Sequence, residues 1–151
     1  MFGASVLGTV TQAPGAGYKF GSPYPLAAGG TATSFEFYAR GGSAAQSFTP
    51  AIYASNGSGP AGLVVAGASV TVAAGQAAGW VSAALPSTSL AAGTYYLVLV
   101  SGAADQGAVV YYAAGAATDG VYNVNLAGAP TGTFGTASTE PRDWSFRVHV
   151  A

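Results

Sequence analysis

Apolar and polar residues alternate with a period of two along much of this chain. Phe35, Phe37 and Ala39 alternate with Ser34, Glu36, Tyr38 and Arg40, and Trp144, Phe146, Val148 and Val150 alternate with Ser145, Arg147 and His149. Successive side chains of an extended strand point to opposite faces, so each run reads as a strand with one face buried and one face wet. Weaker runs at Val6–Thr11, Tyr18–Leu26, Phe48–Ser55, Leu63–Val72, Gly79–Leu85, Thr94–Ser101, Val109–Ala113 and Val121–Leu126 raise the expectation to about ten strands.

Turn signals separate these runs at short spacing: Pro14-Gly15, Gly29-Gly30, Gly41-Gly42, Asn56-Gly57-Ser58-Gly59-Pro60, Pro86-Ser87, Asp119-Gly120 and the Gly128–Gly132 stretch. Gly supplies positive φ and Pro fixes the entry to a turn. Ala73–Ala78 is too short and too interrupted by Gly for a helix. The pattern predicts one all-β domain over residues 1–151. Its expected form is an antiparallel β-sandwich, jelly-roll-like, of about 8–10 strands with essentially no helix. Residues 1–12 read either as an arm or edge strand that adds to a neighbour's sheet, or as the first strand of the chain's own.

Composition narrows the chemistry. The 151 residues hold 4 Lys and Arg, 5 Asp and Glu, one His and no Cys. Charged residues are 6% of the chain, against about 25% in an ordinary soluble domain. No apolar run approaches the roughly 20 residues of a membrane helix. The start, Met1-Phe2-Gly3-Ala4-Ser5, lacks the basic and continuous apolar character of a secretory signal, so synthesis in a cytoplasm without ordinary export is expected. Lys19, Arg40, Arg142 and Arg147 are scattered, whereas binding to a phosphate backbone needs clustered cations. Nucleic acid is therefore not an expected partner.

The same scarcity argues against catalysis. Asp105 and Asp119 stand in Gly-rich turns, and Glu140 and Asp143 flank Pro141-Arg142, where an ion pair with Arg142 or Arg40 is the plain expectation. His149 shares the outward parity of its strand with Arg147, and one His cannot make a zinc site. No G-x-S-x-G elbow, P-loop or D-x-D-x-D-G loop occurs. No enzyme activity, metal or cofactor is expected. Glu36, Arg40, Arg147 and His149 fall on outward parity and most other charges lie in or beside turns, which predicts a thin set of surface charges.

Aromatics offer the remaining candidates. One member of Tyr95-Tyr96 and one of Tyr111-Tyr112 must point outward, and Tyr38 and Tyr122 are further options. Tyr38, Tyr96, Tyr112 and Tyr122 are thus candidate ligand or interface residues, either stacking on a sugar or sitting at a subunit contact, where Tyr is enriched. Trp80 and Trp144 read as core.

Several phrases occur in a suggestive order. They are Tyr18-Lys19-Phe20-Gly21-Ser22 with Leu26; Thr33-Ser34-Phe35-x-Phe37-Tyr38-Ala39-Arg40-Gly41-Gly42; Ala51-Ile52-Tyr53-Ala54-Ser55 with Gly59-Pro60-Ala61-Gly62-Leu63; Trp80-Val81 with Leu85-Pro86; and Leu90-Ala91-Ala92-Gly93-Thr94-Tyr95-Tyr96-Leu97. The set resembles β-sandwich modules of tailed-phage virion proteins (capsid decoration, head or tail fibre, minor tail) and related bacterial surface modules. Each phrase has a structural cause, a turn feeding a core strand, so it speaks to fold more than to function. The resemblance implies a noncatalytic protein of the virion, made in the host cytoplasm: a capsid decoration protein that binds a major capsid or other virion protein in many copies. Self-association, with a trimer as the family expectation, is implied with it. The alternative it implies is a carbohydrate-binding or adhesin module of a tail fibre or bacterial surface protein, placed outside the cell and touching a glycan.

Overall fold

In the computed structural model, which describes residues 1–102, 107–124 and 128–151, the alternating runs pair into two antiparallel sheets packed face to face. The strands in chain order are β1 (Phe2–Gly3), β2 (Val10–Gln12), β3 (Tyr18–Leu26), β4 (Gly30–Arg40), β5 (Gln46–Ser55), β6 (Pro60–Ala66), β7 (Val70–Val72), β8 (Gly79–Leu90), β9 (Gly93–Ser101), β10 (Val109–Ala114), β11 (Gly120–Val124), β12 (Ser138–Glu140), β13 (Arg142–Trp144) and β14 (Phe146–Val150). Among the described residues there is no helix. Ala73–Gln76 instead closes a turn, with Gly75 at φ +65° and the Gln76 side chain accepting the Ala73 amide at 3.0 Å.

Eight strands take the jelly-roll order. One sheet runs β2-β10-β4-β8 and the other β3-β9-β5-β6, so the long strands alternate between layers. The excess over the expected strand count comes from short pieces. The run Leu63–Val72 breaks at Gly67, whose amide donates to the Pro50 carbonyl, leaving β6 and β7 one after the other along the same edge of β5. The strand expected over Val6–Thr11 is replaced by β1 and β2, with Val6 between them 68% exposed. Both pieces pair within the chain's own sheet, β1 on β14 and β2 on β10. The strand expected at Val121–Leu126 is β11 as far as Val124. Asn125 and Leu126 lie outside the described residues, as does Asp105.

The jelly roll carries one insertion. β10 meets β4 only at Ala39 and Arg40, then parts from it. The run β13–β14 fills the gap, pairing with β10 through Arg142–Trp144 and with β4 through Phe146–Val150. Ser145 is the junction. Its amide donates to the Tyr111 carbonyl at 3.0 Å, its carbonyl accepts from Tyr38 at 3.2 Å, and its hydroxyl accepts from Gly8 at 2.9 Å. A fully buried polar residue is thereby satisfied at every group.

Between the sheets lie Phe35, Phe37, Phe48, Ile52, Leu97, Leu99, Trp144 and Phe146. Ring contacts knit the two layers, with Phe20–Trp144 at 4.5 Å and Phe37–Phe48 at 5.6 Å between centroids. Each such side chain contributes roughly 1.5–3 kcal/mol by leaving water. A second, smaller core covers the outer face of the β3-β9-β5 sheet. There Ala51, Tyr53, Tyr96, Val98, Val100 and Val121 are roofed by Phe134 and Ala137 from the segment 128–137.

That roof is held by a lysine. Lys19 is 4% exposed, and its ammonium donates to Thr131 Oγ1 at 2.8 Å and to the carbonyls of Phe134 and Thr133 at 2.6 and 3.4 Å. It also lies 5.0 Å from the centroid of the Phe134 ring. No carboxylate among the described residues pairs with it, and burial pushes its pKa below the ordinary lysine value. The expectation that the charges are all superficial is corrected here: Lys19 shares the parity of a face that is covered, not wet.

Candidate functional site

Two places among the described residues gather several aromatic rings around an ion pair. The first is the outer face of the β2-β10-β4-β8 sheet. Inward Phe35, Phe37 and Ala39 force Glu36 and Tyr38 outward, and register sets Tyr38 opposite Trp80 on β8 and Glu36 opposite Arg147 on β14. Tyr38 stands edge-to-face with Trp80 at 5.4 Å and with Tyr111 at 5.0 Å. The Arg147 guanidinium lies 3.7 Å from the Trp80 ring centroid, and its Nε donates to Glu36 at 2.5 Å. His149 Nε2 stands 3.7 Å from the other Glu36 oxygen. These groups form one half-buried patch whose charges largely cancel.

The second place is a cleft of about 380 Å³ where the two layers part beside β11 and β12. Phe20 and Trp144 lie at its base, and Tyr18, Tyr122, Gln12 and Arg142 line its sides. The chain crosses from one sheet to the other at its mouth, from Glu140 on β12 through Pro141 to Arg142 on β13. Glu140 accepts from Trp144 Nε1 at 3.1 Å and pairs with Arg142 at 3.2 Å. The Arg142 guanidinium lies 4.9 Å from the Tyr112 ring centroid and 5.7 Å from that of Trp144. Burial raises the Glu140 pKa, with Arg142 and the Trp144 hydrogen bond opposing the rise. The expected ion pair with Arg142 is present, but its carboxylate is half-buried rather than in a wet loop.

The four tyrosines singled out from sequence fall in three environments. Tyr38 stands in the outer patch. Tyr122 lines the cleft, opposite Phe20 on the inner face of its sheet. Tyr112 points inward, 5.2 Å from Trp144, so Tyr111 is the outward member of that pair. Tyr96 is the outward member of its pair on β9, but the 128–137 segment covers it and leaves it 7% exposed. Trp144 is core, 1% exposed. Trp80 is not: it is half-buried on the outer face, its ring taken by Arg147. Sequence reasoning places Trp80 in the core and leaves open which of Tyr111 and Tyr112 faces out. Trp80 and Tyr111 both stand against outward Tyr38 of β4, Trp80 by its register and Tyr111 by its ring contact.

The other described carboxylates, Asp119 and Asp143, are committed to structure. Asp119 Oδ2 accepts the Ala116 amide at 2.6 Å within its turn. Asp143 Oδ1 receives the Tyr24 hydroxyl at 2.6 Å, and burial together with Asp143 raises the Tyr24 pKa far above the phenol range. Among the described residues no group of three or more His, Asp or Glu is placed to hold a metal.

Comparison with protein-family models, with curated proteins and with solved structures gives no match for this chain.

Proposed function

We propose that the chain is a noncatalytic attachment protein of a tailed-phage virion, a capsid decoration protein that docks on the head shell in many copies. The observation that carries this reading is the outer patch of Trp80, Tyr38, Tyr111 and Arg147. Trp, Tyr and Arg are the residues that dominate binding energy at protein interfaces, while Lys and Glu are depleted there. The patch meets the usual difficulty of burying charge by neutralising it in advance, since Arg147 already holds Glu36. The rest of the exterior is charge-poor, so docking leaves few ions unpaired. The opposite sheet face is closed by its own roof and offers less to a partner.

The test is co-sedimentation of the purified chain with empty head shells of the virion whose genome encodes it. Saturable binding is expected, weakened at least tenfold in Trp80→Ala, a loss typical of an interface anchor. A folded chain that shows no affinity for the shells overturns the reading.

A further inference from the structure

The cleft at the β12–β13 crossing is unused by the attachment reading, and its chemistry is different. Its two charges face one another: Glu140 and Arg142 are 3.2 Å apart. An anion entering the cleft would meet the Glu140 carboxylate, and a cation would meet the Arg142 guanidinium. A neutral ligand that both donates and accepts hydrogen bonds has neither conflict. Glu140 has acceptor capacity beyond its bond from Trp144, Arg142 has five N–H donors with one directed at Glu140, and Gln12 supplies an amide of both kinds. Beside these polar groups stand the exposed ring of Tyr18 and the half-buried ring of Tyr122, above an apolar base of Phe20 and Trp144.

We infer that this cleft is a binding site for a short neutral saccharide, its hydroxyls bonded to Glu140, Arg142 and Gln12 and its C–H face set against Tyr18 and Tyr122. A sugar ring has that division, hydroxyls around the rim and an apolar face. The cleft volume, about 380 Å³, lies at the lower end of small-molecule sites. The arrangement is rigid in advance. Arg142 is stacked on Tyr112 and Trp144, and its own carbonyl accepts from the buried Ser22 hydroxyl at 3.0 Å. Little ordering of the site is therefore needed on binding.

The experiment follows the indole of Trp144 in the Trp80→Phe variant of the full chain, where it is the single Trp. The probes are a panel of neutral hexoses, N-acetylhexosamines and their disaccharides, with glucuronic acid and glucosamine as charged counterparts. Saturable change with at least one neutral sugar is expected, weakened about tenfold by Tyr18→Ala and by Tyr122→Ala. Tyr18 is the more exposed of the two rings, so Tyr18→Ala is expected to keep the fold and to remain informative if Tyr122→Ala does not. Tyr111→Ala on the outer patch is expected to leave sugar binding unchanged. No saturable response to any neutral sugar, or tighter binding of the charged sugars, overturns the inference. Neither result bears on shell docking, which is read through Trp80 and Tyr111.

Discussion

Arg147 and Trp80 hold each other on the outer sheet face, guanidinium to ring centroid 3.7 Å, with Glu36 accepting the Arg147 Nε at 2.5 Å. The stack and the ion pair share one side chain. Lysine at this position keeps the charge but loses the planar group that serves both contacts. Arg147→Lys is expected to cost about 1–2 kcal/mol in urea unfolding, with the larger part from the lost stack and charge-assisted bond. Arg147→Met, which also leaves Glu36 with only His149 beside it, is expected to cost more. Equal stability of wild type and Arg147→Met would show the contacts to be incidental.

Lys19 fastens the roof over the second core, so its loss is expected to loosen residues 131–134 before it loosens the sandwich. Lys19→Met keeps the stem and removes three donated bonds, which predicts a loss of about 2–3 kcal/mol. Hydrogen exchange reads this locally. The amides of Leu63 and Phe134, which bond to Gly132 and Ala61, should exchange faster while those of β9 stay protected.

The same lysine gives a pH signature. Its folded pKa lies below the ordinary 10.5, so between the two values the unfolded chain binds more protons. Stability therefore rises with pH across that window. Above about pH 10 the buried tyrosines Tyr24, Tyr53 and Tyr96 act oppositely, because their folded pKa values are raised and the unfolded chain loses protons first. Lys19→Met should flatten the rising limb and leave the alkaline fall intact.

Glu140 bends the acid limb. Its folded pKa is raised above 4.5 chiefly by burial, so its contribution is present in full below 4.5 and is lost as pH rises through the folded value. Most carboxylates held in ion pairs do the reverse. Unfolding free energies of wild type and Glu140→Gln, measured from about pH 4 to pH 7, should differ in slope, with the variant lacking the wild type's gain on acidification. Parallel curves would mean that Glu140 carries no such term.

Ser145→Ala removes the acceptor for the buried Gly8 amide and is expected to cost about 1–3 kcal/mol. The effect should be concentrated in the N-terminal strands, since Gly8 stands between β1 and β2. Limited proteolysis before Val10 is the measurement, with faster cleavage in the variant and an unchanged sandwich by circular dichroism.

Parity along each strand was legible from the sequence, and it ordered the core correctly wherever a run was long. Phe35, Phe37, Ala39, Phe146 and Val148 are all buried between the sheets. Where two tyrosines stood together, alternation could say that one faced out but not which, and the answer came from Val110, which pairs with inward Ala39. Parity also cannot tell a wet face from a covered one. Lys19 and Tyr96 both point outward and both are buried, because a Gly- and Thr-rich segment with no alternation of its own folds over them. The cleft was invisible for a related reason. Gln12, Tyr122 and Arg142 come from three distant parts of the chain and meet only where the sheets separate.

Phe146–Val150 sits inside its sheet, between β4 and β1, and the run that leads into it through Arg142–Trp144 pairs with β10. Its partners were made long before it: Glu36 is 111 positions from Arg147, and Gly8 is 137 from Ser145. A growing chain on the ribosome thus holds β4 complete while the neighbour for one of its edges is still unsynthesised. Through that interval the β4 edge that Phe146–Val150 will cover lacks its strand partner. Such an intermediate is adhesive, and closure across so long a loop is slow. A high rate of synthesis would crowd together many copies in this half-made state, so yield of folded protein should improve when translation is slowed or the temperature lowered.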